Sequence, residues 1–111
     1  MHIGSMRHRV TILEGYYKKN ARQEDVLKYR DWRTVWAGVY PEDGRVYYRA
    51  KQENSEVEGV IRIRWQPGLL ELSRERSLRI ELKGRVFDVL WIRDIEEKRE
   101  ELQVAYKEVQ I

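Results

Sequence analysis

Few side chains in this sequence are of the kinds that carry reaction chemistry, and their spacing argues against most reactions. The 111 residues include no cysteine, which removes thiol nucleophiles, thiolate metal sites and disulfides. The two histidines, His2 and His8, lie near the N-terminus with no further ligand at metal spacing. Carboxylates come in pairs, Glu96-Glu97 and Glu100-Glu101. They fall in or beside a charged turn, where nothing would desolvate them for general-acid work. No glycine-rich phosphate cradle occurs, and no Gly-x-Ser-x-Gly elbow. The sequence reads as a non-enzyme without a cofactor, whose function lies in its surfaces.

Three groups of basic and aromatic residues are the candidates for those surfaces. Tyr16, Tyr17, Lys18 and Lys19 open a polar stretch that can meet a neighbour or form a solvated hairpin arm. Arg45, Arg49 and Lys51 surround a narrow apolar helical stripe, where they can tolerate nearby phosphates. Arg62 and Arg64 alternate on one face of a strand, where they either form an ordinary solvated face or serve more than solubility. Net charge is +3, from 22 basic and 19 acidic side chains. Residues 1–50 hold ten basic and six acidic residues, and residues 51–111 hold twelve and thirteen. That is mild polarity, not the dense stripe of a dedicated nucleic-acid binder. A small barrel with aromatics still resembles a single-strand-binding surface in outline, so nucleic-acid binding stays as an alternative. With seven Tyr and four Trp against one Phe, the aromatics suit positions at the edge of a small core or sealed by a partner.

The elements that must position these residues follow from hydrophobic period. Arg7–Leu13 alternates as a first strand, with His8, Val10 and Ile12 on one face. Glu14–Asp31 loses the pattern and reads as a long exposed connection, with a short helical turn near Asp25–Tyr29. Residues 32–40 form a second strand, with Trp36 assigned to the core and Pro41 as its stop. Asp43 is an N-cap candidate for a short helix reaching Glu56. Val60–Trp65 alternates strictly before the Pro67-Gly68 turn. Gln66–Arg76 is a turn or excursion. Ser77–Lys83 and Val86–Ile92 form a hairpin across Gly84-Arg85. Glu101–Val109 closes the set, with Leu102, Val104 and Tyr106 inward. The expectation is one mainly β domain over residues 1–111: a small antiparallel barrel of about six strands, with one short helix and long loops. Its core centres on Trp36, Ile61, Ile63, Leu78, Ile80, Leu82, Leu90 and Leu102. No stretch reaches about 18 apolar residues, and the N-terminus carries no apolar signal region. No membrane partner is expected, and the location is inside a cell or in a particle assembled there.

The order of short motifs adds a resemblance. Met1-x-x-Gly4-x-x-Arg7-His8-Arg9-Val10-Thr11-Ile12 opens the chain, and Trp32-x-x-Val35-Trp36-Ala37-x-Val39-x-Pro41 follows. Next come Gly44-Arg45-x-Tyr47-Tyr48-x-Ala50 and Ile61-Arg62-Ile63-Arg64-Trp65-Gln66-Pro67-Gly68. Leu78-Arg79-Ile80, Gly84-Arg85-Val86-Phe87-Asp88-Val89 and Arg99-x-x-Leu102 complete the set. The ordered set, across nearly the whole chain, resembles the head–tail joining, or head-closure, family of tailed bacteriophages and prophages. The resemblance implies a structural component of the head–tail connector in the virion, assembled in the bacterial host cytoplasm. It implies a self-associated ring beneath the portal and adaptor that closes the DNA channel and offers the tail, or a tail-completion protein, a platform. Packaged double-stranded DNA would then be a non-specific neighbour. It also implies that the first five residues are native, that the 43–56 region lies nearer the channel, and that Arg62 and Arg64 are candidates for an intersubunit or channel-facing surface.

Overall fold

The computed structural model describes residues 6–40 and 43–109. The expectations placed on Met1, His2, Gly4 and Pro41 lie outside the described residues. Six strands form the sheet: β1 (His8–Lys19), β2 (Asp25–Gly38), β3 (Gly59–Arg64), β4 (Leu78–Leu82), β5 (Arg85–Asp94) and β6 (Glu101–Glu108). All neighbours are antiparallel, and the sheet closes in the order β1-β2-β3-β6-β5-β4. The expected mainly β barrel is therefore the fold. Closure pairs both edges of the sheet, which would otherwise present unpaired backbone groups.

The barrel interior is filled by alternate residues of every strand. Val10 and Ile12 meet Val35 and Ala37, Ile61 and Ile63, Ile80 and Phe87, Leu102 and Val104. A second, smaller core lies outside the barrel. There α1 (Gly44–Glu53) brings Ala50 over Val60 and Ala105, with Val57 wholly buried beside them. This explains why β6 reads Leu102-Gln103-Val104-Ala105 with all four residues buried. One face looks into the barrel and the other lies beneath the α1 segment.

Several expectations require correction. Trp36 is not core: it is 48% exposed, while its neighbours Val35 and Ala37 are buried. Thr34 and Trp36 look outward, where the Arg9 guanidinium lies 4.8 Å from the Trp36 ring centre. Glu14–Asp31 is not a loop with a helical turn. β1 and β2 remain paired out to Lys19 and Asp25, forming a long hairpin arm. Charged side chains obscured the period there, because neither arm face is buried in the core. The excursion after Pro67-Gly68 contains a second helix, α2 (Leu69–Glu75). It begins after Gly68, whose left-handed φ of 85° suits glycine. It inserts Leu69, fully buried, into the barrel core.

Two local devices shape the rest. The β4–β5 turn is Lys83-Gly84, one residue earlier than expected. Both residues have positive φ (52° and 79°), the signature of a type I′ hairpin. Gly59 leaves room for the Tyr106 ring: a Cβ there would run into the phenol. Tyr106 also packs edge-on to Phe87, with ring centres 5.0 Å apart, and burial pushes its hydroxyl above the usual tyrosine range.

Two outcomes follow in denaturant unfolding. Ile63→Ala removes a fully buried side chain and should cost about 2–4 kcal/mol, whereas Trp36→Ala should cost under about 1 kcal/mol; equal losses would contradict the assigned faces. Gly59→Ala should cost about 1–3 kcal/mol by displacing Tyr106, and an unchanged midpoint would refute that contact.

Candidate functional site

The nine candidate residues do not converge. They divide between the two ends of the barrel and one internal network.

The first group lies on the arm. Opposite Ile12 and Leu13, β2 carries one extra residue, Trp32, and the pairing shifts there. Such a bulge bends a strand and increases its twist. The arm leaves the barrel just beyond, where the Gly15 amide donates to the Ser77 carbonyl at 2.8 Å and Arg76 donates to the Gly15 carbonyl at 3.0 Å. A Cβ on Gly15 would stand 3.1 Å from that Ser77 oxygen, so glycine permits the close approach. Beyond this root, cross-strand pairing puts Tyr17 and Leu27 on one face and Tyr16, Lys18, Val26 and Lys28 on the other. Tyr17 is 71% exposed, and Lys18 and Lys19 are exposed beside it. The tip is fixed by Asn20, whose side-chain oxygen accepts from the Arg22 and Glu24 amides. Lys19 pairs with Asp25, and Arg30 pairs with Glu14 while lying over the Tyr16 ring.

The second group is on α1, whose connection leaves the opposite end of the barrel. Arg45, Arg49 and Lys51 are all exposed there. Lys51 reaches within 5.9 Å of the Tyr47 ring centre. Tyr48 is 68% exposed on the same helix.

The third pair separates. Arg64 is exposed, but Arg62 is turned into the subunit, with only 14% of its side chain exposed. Its guanidinium donates to both Asp43 carboxylate oxygens, at 2.8 and 3.0 Å, and to Glu101 at 3.4 Å. The Tyr40 ring lies against it, 4.5 Å from guanidinium carbon to ring centre. Gln103 donates to the same Asp43 at 2.8 Å. Asp43 does precede α1, but its side chain caps nothing in the helix; the carboxylate goes to Arg62 instead. Sequence reasoning missed this network because Arg62 looked like one tooth of a charged face. The available signal was Gln103, a polar residue inside a run of buried ones.

Arginines stack in a consistent way on rings that are only partly buried. Arg33 lies over Trp32, Arg79 over Tyr29 and Arg93 over Trp91, at 4.1, 4.2 and 5.1 Å. Guanidinium groups thus cover the parts of these rings that packing leaves exposed. Of the acidic pairs near the β5–β6 turn, Glu96 and Glu101 have ion-pair partners. Lys98 hydrogen-bonds Glu96 and holds its carboxyl below the usual range. A depressed pKa is the reverse of what a general acid needs. Among the described residues no three imidazole or carboxylate groups gather as a metal site. No helix there is long and apolar enough to cross a membrane.

The described residues thus form a mainly β subunit with an extended arm and exposed cationic and aromatic side chains. The chain belongs to the phage head completion protein family, whose match spans residues 1–109. It is thus a structural, virion-associated phage protein that works against other head or tail proteins. Its fold is similar to the solution structure of protein SF1141 from Shigella flexneri 2a, with TM-score 0.60 and 23% identity over 97% of this chain and 96% of that one. It is also similar to a chain in the virion of a native gene transfer agent particle, with TM-score 0.57 and 20% identity over 93% and 94%. No curated protein matches the chain.

Arg62→Ala should cost about 3–5 kcal/mol by leaving Asp43 and Glu101 buried without their cation. Arg64→Ala should stay within about 0.5 kcal/mol. Chemical denaturation of both variants checks the contrast, and similar values for the two would show that Arg62 is not an internal fastening.

Proposed function

We propose that the protein acts as a ring of identical subunits in the head–tail connector, below the portal and adaptor. There it closes the DNA channel after packaging and gives the tail, or a tail-completion protein, its platform. The observation that carries this reading is family membership across residues 1–109. The subunit's form supports it: the arm carries apolar and aromatic side chains that its own core does not cover. Exposed aromatic anchors of this kind are enriched where proteins meet.

In this reading α1 faces the channel. Arg45, Arg49 and Lys51 lie exposed on one short helix, held by a small apolar patch and the Asp43–Arg62 contact. Cations in that position would sit near packaged DNA without reading its sequence. The arm, at the other end, would serve contacts with neighbouring subunits, together with Arg64.

The test is electron microscopy of particles made with and without the chain, beside the protein mixed with its portal–adaptor complex. Particles lacking it should package DNA and then lose it, and the mixture should show an added ring under the adaptor. The charge-reversed variant Arg45→Glu/Arg49→Glu/Lys51→Glu should fold and join the connector but retain less DNA. Mature connectors without the chain would refute the reading. Strong, salt-dependent binding of the free subunit to DNA would favour a nucleic-acid-binding barrel instead.

A further inference from the structure

The arm and the β5–β6 turn occupy opposite sides of the same barrel end. In the strand order β1-β2-β3-β6-β5-β4, the β1–β2 pair stands across the ring from β6–β5. Arg64 pairs with Glu101, and Asp94 with Leu102, which places the β5–β6 turn at the end from which the arm rises. Their charges are opposite. Residues 16–30 hold five basic side chains against Glu24 and Asp25, whereas residues 94–100 hold four acids against Lys98 and Arg99. Internal ion pairs occupy Lys19, Arg30 and Glu96. Lys18, Arg22 and Lys28 on the arm, and Glu97 and Glu100 on the turn, make no ion pair among the described residues.

Shape follows the same division. Beside the acidic turn is a hollow of about 560 Å³. Trp65, Pro67 and Leu70 give it an apolar part, and Glu71, Asp94 and Glu97 give it acidic ones, with Arg74 and Arg99 completing the lining. The arm offers the complement: Tyr16 and Val26 share one face with the cations Lys18 and Lys28, and Tyr17 and Leu27 are exposed on the other.

We infer that the occupant of this hollow is the β1–β2 arm of a second copy of the chain, so that copies join head to tail. Because donor and acceptor lie on opposite sides of one subunit, the contact is heterologous and each copy can give one arm and receive another. A heterologous contact closes into a ring when its rotation allows. The inference rests on the ring proposed above and specifies the surfaces that would build it.

The absence of natural cysteines permits a direct test in connector-bearing particles. A chain with Lys18→Cys and Glu97→Cys should give, on oxidation, a ladder of covalent multimers beyond the dimer. Lys18→Glu/Lys28→Glu and Glu97→Lys/Glu100→Lys should each retain the native circular dichroism spectrum. Each should lower incorporation by about tenfold, through like charges facing across the contact. Supplying the two variants together should restore incorporation, since an alternating ring pairs every reversed surface with its opposite. Multiple wild-type copies per particle with no ladder, or with no rescue on mixing, would overturn arm docking and leave the ring standing. A single wild-type copy per particle would overturn the ring itself.

Discussion

Arg62 ties together the parts of this subunit that backbone pairing alone holds least well. β2 and β3 pair at two positions, Ala37 with Ile63 and Gly38 with Arg62. This is the shortest seam in the closed sheet. The Arg62 side chain binds Asp43 at the approach to α1 and Glu101 at the start of β6. One guanidinium therefore ties the seam, the neighbouring strand and the outer helix. Removing two carboxylates and a guanidinium from water is expensive, and the pairing offsets that cost only with good geometry and further hydrogen bonds. The two-oxygen contact with Asp43, the Gln103 bond and the Tyr40 ring provide much of that. Oε2 of Glu101 is buried with no hydrogen-bond partner among the described residues. The network thus favours a particular arrangement of barrel and helix more than it adds raw stability.

The short seam has a second consequence. Because β2 meets β3 only near Gly38, the rest of β2 has β1 as its one strand partner, and its N-terminal part continues beyond the barrel. The Trp32 bulge and Gly15 then set the direction of departure. The arm is long enough to make the molecule 49 Å in one direction and under 30 Å in the others. A small core cannot cover such an extension. Its aromatic rings are partly shielded by stacked arginines, and its backbone amides near the tip are satisfied by Asn20. The arm is paired along its whole length within the single subunit.

For a structural phage protein this divides labour sensibly. Hydrophobic packing inside the barrel gives the subunit its stability, while charged and aromatic groups at the two ends remain available to neighbours. The small core beneath α1 is separate from the barrel interior. Changes in the helix surface can therefore leave the barrel's packing intact.

The sequence by itself determined the class of fold and the positions of most strands. Period-two alternation is a local property, so Ile61-x-Ile63 and Leu78-x-Ile80 were legible without neighbours, and both pairs lie in the core. The ordered motifs likewise pointed to the phage head–tail proteins. Only the tertiary structure decided which face of β2 turns inward. Both Val35 and Trp36 are apolar, and the choice depends on which side chain fits a narrow barrel. It also decided that Glu14–Asp31 is a paired arm, because pairing without core burial leaves no hydrophobic period to read. α2 is written in helix-forming residues, but its seven residues lie in a charged stretch too short for a helical period to stand out. The fate of Arg62 was not legible at all. Whether an arginine on an alternating strand meets water or a carboxylate depends on residues nineteen and thirty-nine positions away in sequence, and only the closed fold brings them together.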